Sequence, residues 1–376
     1  MRIRFAGLVF GVFGLMIVSA CAHASLTVVE SVPLETNLAV SGVQDTQSAW
    51  LELIGSAKST IDLEEFYVNN GDSLTPVLNA LQDAANRGVQ IRLLTDSQFY
   101  QTYTANENAI AALPNTQFKT IDFSKSGGIM HAKYFVVDGK SAYVGSANFD
   151  WLALSHIHEV GVKVYDAQIA SGLESVFNLD WNVGNEHFVS FKTQLAGILT
   201  TPALQLFASP TNDLPSGMSP TLNALLGLIN NARHSLKIQM YEYATTPYQS
   251  STRFEALDQA LRNAAGRGVQ VEMIVDKTAL KAGSSDLKSL AKVPNLKIKV
   301  ITIPQWSGGP LQYARVAHSK YLIADDQTIW IGSENWTGDY FTSSRNVGVI
   351  TTDQGALSSL EQIFTQVSNS GYTTAP

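Results

Sequence analysis

Six residues recur twice in this 376-residue chain at one spacing. His131, Lys133, Asp138, Gly145, Ser146 and Asn148 form the first set, and His318, Lys320, Asp325, Gly332, Ser333 and Asn335 the second. Both read H-x-K-x4-D-x6-G-S-x-N. The surroundings repeat too. Ala84-Ala85-Asn86-Arg87-Gly88-Val89-Gln90 returns 180 residues later as Ala264-Ala265-Gly266-Arg267-Gly268-Val269-Gln270, and each copy leads into an apolar run ending in Asp96 or Asp276. Upstream, Ile61 to Tyr67 parallels Ile238 to Tyr243; downstream, Ser126-Gly127-Gly128 parallels Ser307-Gly308-Gly309. A period this long does not suit a solenoid and requires two similar domains packed together.

Each repeat alternates helix and strand patterns. Apolar positions at helical spacing fall in Ala49 to Ile54, Leu74 to Ala85, Leu225 to Ile229 and Phe254 to Ala265. Gly88 and Gly268 follow helix ends and suit left-handed caps. β-rich apolar runs follow at Val89 to Leu94, Tyr134 to Val137 and Val160 to Val164, with counterparts at Val269 to Val275, Tyr321 to Ile323 and Val347 to Ile350. The expected class is α/β: two similar domains, 25–200 and 201–376, each a mixed sheet flanked by helices, related by a pseudo-two-fold axis. The Pro- and Ser-containing stretch from about Leu195 to Pro220 reads as their connection.

Residues 1–24 read as an export signal. Arg2 and Arg4 precede an apolar run from Phe5 to about Ala20, and Ala22-His23-Ala24 offers a small-x-small cleavage site. Val18-Ser19-Ala20-Cys21 also reads as a lipobox, with Cys21 acylated after cleavage at Ala20. Either route exports the protein, to the periplasm or outer membrane as a lipoprotein, or in secreted form. Cys21 is the only cysteine, which excludes an intrachain disulfide and a cysteine-based zinc site. The net charge of −7 argues against a binder that attracts nucleic acid by bulk positive charge. Hydrophobic types at 45% exclude a disordered chain.

The motif is built for an anion. In an extended His-x-Lys the two side chains share one face. The Gly-Ser-x-Asn segment, returning after a tight turn, brings a hydroxyl and an amide alongside. Imidazole, ammonium, hydroxyl and amide are the donors that hold a tetrahedral oxyanion such as a phosphodiester. Gly145 and Gly332 allow close backbone approach. Asp138 and Asp325 suit a structural role at the turn, and Asp96 and Asp276 suit capping. Trp151, Trp336, Tyr340 and Phe341 either line the cleft or pack the domain interface. His156 and His158 lie on one strand face with no further ligands, so no metal site is expected. Neither a G-x-S-x-G elbow nor a Walker loop occurs.

The duplicated motif resembles the signature of the phospholipase D superfamily, and the resemblance covers nearly the whole chain after residue 24. Val28 to Pro33, Ile61 to Tyr67, Asn148-Phe149-Asp150-Trp151 and Asn335 to Phe341 are similar to the branch holding luminal animal phospholipases D of types three and four and poxvirus envelope phospholipases. The resemblance implies one active site between the halves, a phosphohistidine intermediate formed by one histidine, and general-acid catalysis by the other. It implies that Lys133, Lys320, Asn148 and Asn335, with Ser146 and Ser333, bind the phosphoryl oxygens, and that no cofactor is needed. A carboxylate near Glu159 often orients a catalytic histidine in the superfamily, and the equivalent position in the second half is Asn346. The expectation is therefore His131 as nucleophile, oriented by Glu159, and His318 as general acid. The expected substrate is a phospholipid at a membrane surface. A nuclease acting on single-stranded nucleic acid is the alternative, and the protein is expected to be a monomer.

Overall fold

A computed structural model describes residues 25–183, 203–246 and 252–375. The export signal, Cys21 and the 200/201 domain boundary lie outside the described residues.

The long strands of the first half are β1 (Ser25–Ser31), β2 (Thr60–Glu65), β3 (Gln90–Asp96), β4 (Thr116–Ile121), β5 (Lys133–Val137), β6 (Ser141–Gly145) and β7 (Glu159–Tyr165). Those of the second half are β8 (Leu204–Ser209), β9 (Ser235–Met240), β10 (Gln270–Asp276), β11 (Leu296–Ile301), β12 (Tyr321–Ala324), β13 (Thr328–Gly332) and β14 (Asn346–Thr351). The first sheet runs β1-β7-β6-β5-β2-β3-β4, and the second repeats this as β8-β14-β13-β12-β9-β10-β11. In both, the three strands that begin at β2 or β9 are parallel, and the other pairings are antiparallel. Short edge strands, Gln44–Asp45 in one sheet and Ser219–Pro220 and Thr373–Thr374 in the other, complete the sheets.

Both faces of each sheet are covered, so the central strands read as continuous apolar runs. Alternate side chains go to different cores. Phe135, Val137 and Tyr143 pack under helices Thr46–Ser56 and Thr75–Asn86. Leu322, Ala324 and Trp330 pack under Thr221–Asn231 and Ala256–Gly266. Tyr134, Val136 and Val144 instead join Tyr321, Ile323 and Ile331 in one core shared by both halves, closed by helices Ala167–Val183 and Gln354–Ser368. The sheet faces meeting in this shared core bring the two motif hairpins together.

The helices called from spacing are all present, and Gly88 and Gly268 take φ of +93° and +94° just beyond two of them. The upstream repeat needs correction. β2 and β9 pair with β3 and β10 from Thr60↔Gln90 and Ser235↔Gln270, so Phe66 corresponds to Tyr241 and Tyr67 to Glu242, a two-residue slip from the match of Ile61 with Ile238. The connection is shorter than expected, because Leu204–Ser209 is already a strand of the second sheet. Spacing also gave no sign of helix Ser97–Ala111, whose buried residues are only Glu107 and Ile110. Its visible signal is Asp96, which accepts from the Gln98 and Phe99 N–H groups.

The motif aspartates hold hairpins. Asp138 and Asp325 both have φ of +53° at the turn after β5 or β12. The Asp138 carboxylate accepts from Lys58, Ser59 and Thr60 N–H groups at 2.9, 2.7 and 2.9 Å. Asp325 accepts from Arg233, His234 and Ser235. Each therefore ties its hairpin to the start of the neighbouring strand. Partial burial raises the pKa of both, but the backbone donors outweigh it and leave both below the usual aspartate range. Their stabilisation is present above the unfolded-state pKa and is lost as pH falls through the folded one. Asp138→Ala should lower unfolding free energy by about 2 kcal/mol, the scale of charge-assisted hydrogen bonds, with KM for a phosphodiester unchanged. Thermal unfolding at neutral pH and at pH 3 checks this, with the gap between wild type and variant narrowing at acid pH.

Candidate active site

Each H-x-K segment enters at the start of a central strand and is pinned from both sides. Asp96 accepts from the Met130 N–H at 2.8 Å, and Asp276 accepts from the Ala317 N–H at 2.8 Å. Backbone bonds then cross between the halves. His131 N–H donates to Arg345 O, and Arg345 N–H to Ile129 O; His318 N–H donates to His158 O, and His158 N–H to Val316 O. The strand-ending aspartates therefore do more than cap: each fixes the residue just before a motif histidine. The capping signal was legible in sequence, and the long-range bond was not.

The crossing continues in the side chains. His318 Nδ1 lies 2.9 Å from Glu159 Oε1, while His131 Nδ1 lies 2.9 Å from Asn346 Oδ1. Glue between the halves is thus reciprocal, and the expectation that Glu159 orients His131 is wrong. The equivalence of Glu159 and Asn346 was visible in the sequence, but their partners are exchanged because the loops leading to β7 and β14 each cross to the other half. The Asn346 amide nitrogen faces Ser209 Oγ, Tyr340 O and Ser344 O, which turns its oxygen toward His131. Both imidazoles thereby donate from Nδ1 and keep Nε2 for the reacting group.

Ser146 and Ser333 have internal partners. The Ser146 hydroxyl donates to Glu159 Oε2 at 2.5 Å and accepts from Val160 N–H. Ser333 donates to Asn346 Oδ1 at 3.1 Å and accepts from Val347 N–H. Both are fully buried. They brace the residue that holds the opposite histidine, and each hydroxyl is already engaged as donor and as acceptor. Gly145 and Gly332 are required by close packing: a Cβ on Gly145 would stand 2.7 Å from the Gly161 Cα.

Lys133 and Lys320 have no solvent exposure. Each ammonium donates to its own motif histidine carbonyl, at 2.5 and 2.6 Å, and lies over an aromatic ring, Phe66 or Tyr241. Phe66 and Tyr340 also meet His131 edge-on at 5.1 and 4.9 Å, and Tyr241 meets His318 at 4.6 Å. Asn148 donates to the Tyr67 hydroxyl and Asn335 to Glu242, the two positions made equivalent by the corrected register. Of the four aromatic residues after the motifs, Tyr340 reaches the site. Trp336 and Phe341 belong to the second-half core, and Trp151 packs at the edge of the first. His156 rests edge-on against Trp306, and the His158 Nδ1 faces Gln239 and Ser319.

Burial governs the charges. It holds His131 and His318 well below the usual imidazole range, helped by both lysines. It pulls Lys133 well down and Lys320 to about 7, and it pushes Glu159 up to about 8. Burial thus disfavours the charged forms of acids and bases alike, and an entering phosphodiester anion favours the protonated form of the bases around it.

A family described as cardiolipin synthase, PLD-like domain, matches residues 50–181 and 225–368. The chain belongs to the phospholipase D superfamily. It is 30% identical to phospholipase D Z of Dictyostelium discoideum over 96% of this chain and 93% of that protein. It is also 30% identical to the human 5'-3' exonuclease PLD3, over 92% of this chain and 79% of that protein. Phosphatidylserine synthase of Haemophilus influenzae has the same fold, with a TM-score of 0.64 and 15% identity over 88% of this chain and 85% of that one. As a superfamily member with both motifs intact, the protein is a phosphodiesterase.

In this phosphodiesterase the position of Ser146 separates two roles. A serine that binds phosphate would raise KM when removed. A serine that braces Glu159 should lower kcat instead, by about tenfold, the lower end of the range for outer hydrogen-bond partners. Steady-state kinetics of Ser146→Ala on bis(p-nitrophenyl) phosphate should show the second pattern.

Proposed function

We propose that this enzyme hydrolyses or transfers phosphatidyl groups, with His318 as nucleophile and His131 as general acid. The observation that carries the assignment is the unequal pair of partners across the interface. In its ionised form, which Lys320, Ser146 and Lys133 favour against burial, Glu159 makes His318 the more basic imidazole, as a carboxylate partner does. The neutral amide of Asn346 leaves the His131 imidazolium the stronger acid. This reverses the roles expected from sequence.

In the first step His318 Nε2 bonds to phosphorus as the ester P–O bond breaks, and the His131 Nε2 proton passes to the leaving alkoxide. In the second, His131 takes a proton from water or an acceptor alcohol, whose oxygen bonds to phosphorus as the N–P bond breaks. Lys133, Lys320, Asn148 and Asn335 are assigned to the phosphoryl oxygens. General-acid catalysis of this kind contributes about 10²–10⁴-fold. His131→Asn should therefore lose activity on a phospholipid by that factor, yet still form a phosphoenzyme from a p-nitrophenyl ester, whose leaving group needs no proton. Acid-quenched mass spectrometry should find the phosphoryl group on His318; finding it on His131 refutes the assignment.

The phospholipid reading is supported by the similarity to phospholipase D Z across most of both chains. A second reading, cleavage of single-stranded nucleic acid, is favoured by the Tyr67 and Tyr103 rings stacked at 4.5 Å beside Asn148, since aromatic faces suit unpaired bases. Export to an envelope compartment, with Cys21 acylated or the signal removed after Ala24, is part of the proposal and rests on residues 1–24 alone. Among the described residues no helix is long and apolar enough to cross a membrane. The protein without its first 24 residues should release choline or glycerol from phosphatidylcholine or phosphatidylglycerol vesicles in the presence of EDTA. Nucleotide release from labelled single-stranded DNA with no headgroup release selects the second reading.

A further inference from the structure

Two buried carboxylates near the site have no part in the histidine chemistry. Glu65 and Glu334 are fully buried, and none of their carboxylate oxygens makes a well-formed hydrogen bond. The Thr221 hydroxyl and the backbone at Ser333 and Glu334 are near enough to Glu334 to favour its charged form. Burial pushes Glu65 well above the usual carboxylate range and Glu334 up to about 7, and Lys133 opposes the rise in both. An unpaired buried charge is costly, so each must answer to something nearby. For Glu65 it is Lys133. The two are directly opposed across β2 and β5, so their side chains share one face of the sheet.

The second half differs at this point. Position 65 corresponds to Met240, one step beyond the Gln239↔Tyr321 pair and hence opposite Lys320. The carboxylate comes instead from the other side. Gly332 N–H donates to Lys320 O, so Gly332 is the cross-strand neighbour of that lysine on β13. A Cβ on Gly332 would stand 2.5 Å from Glu334 Oε2, so the Glu334 carboxylate fills the side-chain space beside Lys320. In the first half the residue at the Glu334 position is Ala147. The halves therefore carry Glu65 with Ala147 and Met240 with Glu334: one buried carboxylate per motif lysine, taken from different strands.

We propose that Glu65 and Glu334 are positioning residues that keep the motif lysines protonated for the phosphate group. The inference rests on the reading of these lysines as phosphate ligands. Lys133 is faced by Glu65, Glu159 and Glu334 against Lys320. Lys320 is faced by Glu159, Glu242, Asp276 and Glu334, with Lys133 opposing. His131 and His318 add positive charge when protonated. Within this set Glu65 has no hydrogen bond of its own and Glu334 has no well-formed one, so the lysines are the charges each has to answer.

The probe is inorganic tungstate, a tetrahedral dianion whose binding needs no turnover. Its affinity for the wild type, read by calorimetry from pH 5 to 10, should fall through a midpoint well below the usual lysine range as the lysines lose protons. Glu65→Gln and Glu334→Gln should each move that midpoint about one unit lower, a tenfold loss of affinity above it; Glu65→Asp should restore it. Glu65→Met and Glu334→Ala place at each site the residue that the other half already accommodates, and should behave as the Gln variants do. A midpoint that stays in place while the melting temperature drops would show a structural role and overturn the proposal, as would a wild type that does not bind tungstate. Tungstate binding that follows the prediction without cleavage of any diester would sink the catalytic reading and leave this one standing.

Discussion

The arrangement depends on a backbone exchange at the top of the shared core. The segments ending in Ile129–His131 and Val316–His318 do not pair only within their own sheets. Each donates one hydrogen bond to the loop of the opposite half and accepts one from it, at Arg345 and His158. That exchange sets Asn346 under His131 and Glu159 under His318. It is reinforced where Arg345, with no exposure, forks onto Asp180 at 2.5 and 2.7 Å and reaches Asp213 at 3.0 Å. A buried guanidinium of this kind is costly to desolvate unless fully bonded. Its donors also meet the Ser209 and Asp213 carbonyls, so the loop carrying Asn346 has one position available to it.

Chemistry follows from unequal partners in a nearly symmetric frame. Strand order, motif spacing, lysine–ring contacts and turn aspartates repeat in both halves. Near the motifs the halves differ at Glu159 against Asn346, Tyr67 against Glu242, and Glu65 and Ala147 against Met240 and Glu334. A frame built twice with local changes gives the two histidines different partners, a carboxyl group for His318 and an amide for His131, and it is on this difference that the proposed two-step displacement rests.

Much of this was legible in the residues. The duplication gave the two sheets, and fixed spacing gave the motif hairpins, because two short apolar runs separated by a turn that begins with Asp admit few alternatives. The helices with an apolar stripe were legible for the same reason. Ser97–Ala111 was not, since it covers a strand end with few apolar contacts. What the sequence could not carry was partnership across the interface. Glu159 lies 28 residues from His131 and 159 from His318, and chain proximity favoured the wrong one. The motif serines misled for a related reason: a hydroxyl suits phosphate by type, and only geometry shows it spent on Glu159 and Asn346.

The exchanged partners bear on how such a protein can arise. Were the two halves separate, identical chains, each histidine would be held by its partner's residue, and both holders would be the same residue by symmetry. The two imidazoles would then be chemically alike, and either could take either role. Joining the copies in one chain lets position 159 and position 346 change independently. Linkage, more than duplication itself, is what allows a division of labour between the two histidines to be written into the gene.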